Sequence, residues 1–301
     1  MKMKKPARQA TTTKKAKPLV GFIGQGFVGK AYADEFERRG FNTVRYSLEE
    51  PYRQNKDKIK ECDIVFIAVP TPTTEKGFDD SIIRGAIKLV GNGKTAVIKS
   101  TILPGTTASI QKENPDIFVF HSPEFLTEVS AFWDAANPTR NILGIPESTK
   151  KYTDRAKKVL AVLPKAPFEL VTGAEEAELI KYGGNCWFYF KVIFINMLYD
   201  MAKAKAIDWN IVRDAMAADP RIGRSHLDPV HKSGRGAGGH CFIKDFAAFD
   251  EMYRSTVGDV QGITVLESIR DKNIDLLLET GKDADLLKGV YGASLLKRRK
   301  K

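Results

Sequence analysis

What the chain lacks sets the first bounds. Its 301 residues include three cysteines, an odd number at wide spacings, so no disulfide framework can be drawn. Histidine is scarce as well, four in all. His226, His231 and His240 fall near Cys241, but that residue is the only thiol there and the ligand spacing fits no common zinc site, so no metal is expected. No apolar run approaches the ~18 residues of a membrane span. The greasiest stretch, Trp187 to Leu198, is broken by Lys191 and Asn196. No apolar segment follows Met1-Lys2-Met3-Lys4-Lys5, so a secretory signal is not expected and a reducing cytoplasm is the natural compartment.

Acidic residues are missing from the two ends. Residues 1–18 hold seven Lys/Arg and no acid, and 297–301 hold five more. Without those twelve, 36 of the 48 basic residues remain against 37 acids, so the body carries about −1 although the formal charge is +11. The basicity belongs to two tails expected to be solvated and disordered, and nucleic acid is not an expected partner. With 43% hydrophobic and 28% charged residues, the body is globular and long enough for two domains.

Within that body Pro18 to Ile23 reads as a short buried strand, followed at once by Gly24-Gln25-Gly26-Phe27-Val28-Gly29. An amphipathic helix over Lys30–Arg39, closed by Gly40, and a second strand over Asn42–Tyr46 complete the first βαβ unit of a dinucleotide-binding, Rossmann-like fold. A glycine motif alone is weak; between a strand and a helix it is specific. The glycines permit a tight turn and close approach of a pyrophosphate, whose charge the helix N-terminus stabilises. Further strands are expected at Asp63–Val69, Thr95–Ser100, Asp116–His121 and Asn141–Ile145, alternating with helical or loop stretches, which predicts a doubly wound, largely parallel sheet. The ligand should lie beyond the strand ends, at Pro70–Thr73, Ser100–Gly105 and Ser122–Glu128.

From about Gly173 a long helix is expected to run to about Ala206, with shorter ones at Asn210–Ala218, Asp245–Arg254 and Ile263 to about Glu279. The apolar middle of the long helix requires burial on several sides, by a second domain or subunit. The expected organisation is α/β: a basic tail over 1–18, a dinucleotide-binding domain over 19–172, an all-α substrate and dimerisation domain over 173–296, and a basic tail over 297–301.

Candidate chemistry gathers at three places. Gly238-Gly239-His240-Cys241-Phe242-Ile243-Lys244-Asp245 sets a cysteine behind two glycines, with Lys244 close enough to favour a thiolate. It reads as a nucleophile or as a small buried cysteine beside a turn. Lys181 and Asn185, four apart on the long helix, share a face, and Gly183-Gly184 between them suggest that something packs tightly there. Glu124 and Glu128 follow a sheet strand directly, and either could act as a general base.

In order along the chain, Gly21–Gly29, Ser100-Thr101, Ser122–Leu126, Glu178–Asn185, Asp219–Gly223 and Gly238–Asp245 resemble the UDP-glucose/GDP-mannose 6-dehydrogenase family over roughly residues 19–275. The resemblance implies an NAD-dependent, four-electron oxidation of a nucleotide sugar's C6 alcohol to the carboxylate, with UDP-glucose the first candidate. By position, Cys241 would hold the sugar as a thiohemiacetal and then a thioester. Glu124 would be the base for hydrolysis, with Thr101 and Glu128 ordering the water or cofactor side. Lys181 and Asn185 would stabilise the oxyanion, and Asp245 would assist the first proton removal. Glu128, Arg221, Lys244, Gly238 and Gly239 would line the substrate, Arg221 reaching that of a neighbouring subunit in a homodimer. Gly24, Gly26, Phe27, Val28, Gly29, Ser47, Thr71 and Thr101 would hold the cofactor.

Three departures from the family pattern stand out. Ser47 replaces the Asp that binds the adenosine ribose, which with Arg45 and Arg53 leaves NADP open beside NAD. His240 stands where serine is usual. Finally, the family continues past a helix like Thr264–Asn273 with a third domain that supplies much of the nucleotide pocket, whereas Ile274–Lys301 are too few for one. Two other readings therefore stay open: a non-catalytic or partner-dependent paralogue that binds dinucleotide and dimerises, and a two-electron β-hydroxyacid-type dehydrogenase.

Overall fold

The protein's structure, a computed structural model, describes residues 17–298. The basic segments expected at 1–18 and 297–301 lie outside the described residues except at their innermost positions. Seven strands form one sheet: β1 (Val20–Ile23), β2 (Thr43–Tyr46), β3 (Ile64–Ile67), β4 (Thr95–Ile98), β5 (Phe118–His121), β6 (Arg140–Ile145) and β7 (Phe168–Gly173). Their order is β2-β1-β3-β4-β5-β6-β7, so the crossover from β2 to β3 passes over β1. All neighbours are parallel except β5 and β6. The expected sheet is therefore present, with one reversal and one strand more than the sequence pattern shows. Strand β7 sits at an edge and its residues are exposed or half-buried, so it carries no apolar run.

Helices cover both faces: α1 (Phe27–Arg38), α2 (Ser81–Ile87), α3 (Thr106–Glu113), α4 (Ala131–Ala136) and α5 (Lys150–Val162). Period-2 alternation divides the core. Ile64 and Phe66 of β3 join α1, α4 and α5, whereas Val65 and Ile67 face α2, α3 and a 3-10 stretch over Arg53–Glu61. Phe22 stacks on Phe66 at 5.5 Å, and Phe36 of α1 meets Phe66 edge-on at 5.3 Å. Each such ring, fully buried, stabilises the fold by roughly 1.5–3 kcal/mol.

The remainder holds the helices α6 (Ala174–Ala204), α7 (Trp209–Ala217), α8 (Gly239–Thr256), α9 (Val260–Glu279) and α10 (Ala284–Arg298), the last kinked at Gly292, and, against the all-α expectation, one short antiparallel pair of Val230–His231 with Gly234–Arg235 before α8. Helix α6 packs on α8 and also on β6, so one rigid element of 31 residues joins the sheet to the helical half. Tyr189 of α6 stacks on Phe246 of α8 at 3.9 Å. Among the described residues no helix is long and apolar enough to cross a membrane.

Candidate active site

The turn after β1 shows why glycine is required there. Gly24 has φ +90°, and a Cβ on it would lie 2.1 Å from the Ala68 carbonyl oxygen. A Cβ on Gly29 would lie 2.0 Å from the Gly24 carbonyl oxygen, so α1 is pressed against its own entry turn. Gly26, by contrast, faces open space and is the N-cap of α1, with no side chain capping the first turn. The N–H groups of that turn are thus oriented for an anion, as a pyrophosphate requires. Phe27 at the helix start is 42% exposed, and Val28 packs against the core.

At the end of β2 the structure changes one expectation. Arg45 is buried and its guanidinium pairs with Asp34 at 2.6 Å and Glu37 at 2.7 Å, both on α1. It is committed to the fold and is not free to take a 2′-phosphate. Ser47 forms a local turn, its hydroxyl donating to the Glu49 carbonyl. Beyond β3 and β4, Ser100 Oγ bridges the backbone of Val69, and Thr71 Oγ1 donates to the Thr101 carbonyl at 2.8 Å. These bonds hold together the two loops expected to flank a cofactor.

Helix α6 then delivers its polar face to the strand ends. Lys181 Nζ donates to Glu124 Oε1 and to the Glu124 carbonyl, both at 2.8 Å. Leu126 N–H donates to the other carboxylate oxygen at 2.7 Å. One turn on, Asn185 Nδ2 donates to Asp245 Oδ2 at 2.6 Å, and Lys244 pairs with the second Asp245 oxygen. Lys181, Glu124 and Asp245 are all buried. Cys241 and Asp245 are four apart on α8 and share its face, as Lys181 and Asn185 share that of α6. The five side chains named from sequence on the α6, α8 and β5 segments thus meet where those elements converge. Nothing in the chain itself packs on Gly183 or Gly184, since a Cβ on either would meet nothing within 4 Å. They lie on the open side of α6.

Cys241 is half-buried at the first turn of α8, while Cys62 and Cys186 are buried. Burial, followed by the charge of Asp245, pushes its thiol up from the ordinary cysteine value; Lys181 and Lys244 oppose this without reversing it. Lys244 thus acts in the expected direction, favouring the thiolate, but it is paired to Asp245 and is outweighed by burial and by that carboxylate, so the thiol form is favoured on balance. The glycines before it divide in role. Gly239 has φ +79° and open space around it, but a Cβ on Gly238 would lie 2.1 Å from an oxygen of Asp283, so Gly238 faces the protein.

Two expected residues stand apart from this cluster. Arg221 is exposed and pairs with its neighbour Asp219 at 2.7 Å. Glu128 is exposed and forms an ion pair with Lys232 at 3.3 Å.

The sequence pattern did not single out Lys99, and it gave Glu178 no role beyond its place in a motif. Lys99 follows β4, is buried, donates to Ser122 Oγ at 2.9 Å and lies over the Tyr32 ring. Burial pushes its ammonium down to about 7, with Lys181 contributing and Glu124 opposing. The only available signal was a lysine directly abutting a buried strand. Glu178 is fully buried and accepts from the N–H of Gly105 at 2.7 Å and of Thr107 at 2.8 Å, so α6 caps the N-terminus of α3. Burial pushes its carboxyl up to about 7 against those hydrogen bonds.

With this geometry in view, comparison with known proteins is decisive. Residues 45–163 match the NAD binding domain of the UDP-glucose/GDP-mannose dehydrogenase family, and residues 175–274 match its central domain. The chain belongs to this family. It therefore carries the family's NAD-binding domain, and helices α6 to α9 fall in the family's central domain. It is 30% identical over 236 residues to the putative UDP-glucose 6-dehydrogenase YtcA of Bacillus subtilis, covering 74% of this chain and 54% of that protein. In general the chain spans about half the length of the curated relatives it matches. Among solved structures, a UDP-glucose dehydrogenase of Pyrobaculum islandicum superposes with TM-score 0.74 at 25% identity, over 97% of this chain and 82% of that one. A Mycobacterium tuberculosis 3-hydroxyisobutyrate dehydrogenase superposes with TM-score 0.69 at 14% identity, over 92% and 99%, which is a likeness of fold.

Proposed function

We propose that this chain is an NAD-dependent nucleotide-sugar 6-dehydrogenase in which Cys241 carries the sugar between two oxidations, and that UDP-glucose is the first substrate to test. The observation behind this reading is the convergence of α6 and α8, which sets Lys181 and Asn185 against Glu124 and Asp245 beside a half-buried thiol. A two-electron hydroxyacid oxidation needs no such cysteine. Relatives named as UDP-glucose 6-dehydrogenases support the choice of sugar.

Bound NAD would accept a hydride from C6 in each of two steps; the rest falls to protein side chains. In the first oxidation the C6 hydroxyl loses its proton toward Asp245, directly or through water. Cys241 Sγ then forms a bond to the aldehyde carbon while the carbonyl electron pair moves onto oxygen. Lys181 and Asn185 donate to that oxygen and stabilise its charge. As the C–S bond forms the Sγ–H bond breaks; Asp245 already holds the proton of the C6 hydroxyl, so Glu124, the other buried carboxylate, takes this one and releases it to solvent before hydrolysis. Loss of the second hydride turns the thiohemiacetal into a thioester. Water adds to its carbonyl carbon, the C–S bond breaks, the thiolate leaves with its electron pair, and Glu124 accepts the proton of the water.

The cofactor reading favours NAD over NADP, since Arg45 is engaged by Asp34 and Glu37. The chain is further proposed to form a homodimer through α6, where Trp187, Phe194 and Met201, each seven residues apart, are 64%, 59% and 64% exposed. A reducing cytoplasm suits three unpaired cysteines. The test is stoichiometric. Purified protein given UDP-glucose, UDP-N-acetylhexosamines or GDP-mannose should form about two NADH per sugar with one of them and should lose turnover as Cys241→Ala. One NADH per sugar with activity surviving that change would overturn the thioester route, and no reduction with any sugar would favour a non-catalytic paralogue.

A further inference from the structure

The loop before the proposed nucleophile is gripped by a part of the chain that none of the motifs includes. Gly234, Gly236 and Gly238 alternate along the segment leading into α8, and each is pressed against α9 or the turn that follows it. A Cβ on Gly234 would lie 2.3 Å from Thr280 Oγ1, one on Gly236 2.9 Å from Asn273 Oδ1, and one on Gly238 2.1 Å from Asp283 Oδ2. Hydrogen bonds follow the same line. Ala237 exchanges two with Asn273, at 2.7 and 3.0 Å. Arg235 N–H donates to Thr280 Oγ1 at 3.1 Å. Lys282, buried in spite of its charge, donates to the carbonyls of Gly236 at 3.0 Å and Gly234 at 3.4 Å. Gly239 N–H, at the start of the helix that bears Cys241, donates to Asp283 Oδ2 at 2.7 Å.

We infer that Lys282 and Asp283 are positioning residues for Cys241: Lys282 fixes the carbonyls of the approach loop, and Asp283 caps the first turn of α8 from 44 residues away, so that the thiol is presented in one place. Surface attachment of the terminal segment would not require a buried lysine. Nor would it require three glycines in alternation, each with its Cβ direction filled. The inference rests on Cys241 being the nucleophile of the proposed reaction, but its central test does not need turnover.

That test is the rate of Cys241 alkylation by iodoacetamide in the full chain, with Cys241→Ala as the blank. Removing the cap as Asp283→Ala should free the turn and speed alkylation by about fivefold or more, as expected when a local opening becomes easy, with the melting transition still cooperative. Asp283→Asn keeps an oxygen that accepts from Gly239 N–H and should stay within about twofold of wild type. Equal rates in wild type and Asp283→Ala, or an Asp283→Asn variant as altered as Asp283→Ala, would overturn the inference. Should Asp283→Ala not fold, hydrogen exchange on the wild type decides: the Ala237 and Gly239 amides should be protected as strongly as the α8 interior, and rapid exchange there refutes the clamp. In turnover, Asp283→Ala should lower kcat about tenfold while the sugar KM changes by less than about threefold, the pattern of a displaced nucleophile rather than lost binding. A wild type that reduces no NAD defeats the proposed function alone, and the alkylation and exchange results still stand for or against the clamp.

Discussion

Replacing Lys181 by methionine is the sharpest test of how the site is held. The side chains of Lys181 and Glu124 are only 7% and 8% exposed, and the ammonium makes two 2.8 Å hydrogen bonds to the glutamate. In the variant the carboxylate keeps only the Leu126 N–H and faces a thioether. Breaking a buried pair by removing one partner costs about 3–5 kcal/mol, because an uncompensated charge remains. At about 2.1 cal/mol/K per residue, a chain of this length has an unfolding entropy of about 0.6 kcal/mol/K, so melting should fall by about 5–8 °C. Lys181→Met/Glu124→Gln should regain most of that loss, because both charges leave together. The assay is thermal unfolding at pH 7 of wild type, both single variants and the double, closed as a cycle. A Lys181→Met protein that melts within about 2 °C of wild type would show that the pair is solvated and the reasoning wrong.

Three further outcomes follow from the same geometry. Alkylation of Cys241 should be slow at pH 7 and climb above the ordinary thiol range, since burial and Asp245 raise the thiol; Asp245→Asn should move the curve to lower pH, and no movement would refute the assigned cause. Glu178 has a folded value of about 7 against an ordinary 4.5, so its contribution to stability is complete below about 4.5 and is lost as pH rises toward 7. The stability difference between wild type and Glu178→Gln, followed by urea unfolding from pH 4 to 8, should therefore fall by about 3 kcal/mol across that window, and a flat difference would contradict the assignment. Gly29→Ala places a Cβ 2.0 Å from the backbone oxygen of Gly24, which no side-chain rotation can relieve. It should destabilise by about 2 kcal/mol or more and abolish NAD binding measured by calorimetry; retained affinity would show that the turn can yield.

Much of the fold was legible because its signals are local. The glycine turn, the buried four-residue strands and the start of α6 are each written in contiguous residues, and the i, i+4 pair Lys181 with Asn185 can be read from helical spacing. Strand β7 was hidden because half-exposed edge strands lack an apolar run. The start of α8 was hidden too: the sequence suggested a helix from Asp245, but it begins at Gly239 behind two glycines, with a cap supplied by Asp283.

The sequence by itself determined which residue types the protein could bring to a reaction, and it placed them on elements whose spacing turns them to a common face. Only the tertiary structure decided what each one touches. Lys181 meets Glu124 across 57 residues, and Asn185 meets Asp245 across 60. Arg45, open in sequence to a phosphate, is occupied by Asp34 and Glu37 once α1 packs on β2. The balance at Cys241 was set for the same reason. Lys244, three residues on, does favour a thiolate, but folding removes the thiol from water and sets Asp245 beside it, and those two outweigh the lysine. Hydrogen bonds and desolvation act over a few ångströms of space, and the order of residues along the chain does not carry that distance until the chain has folded.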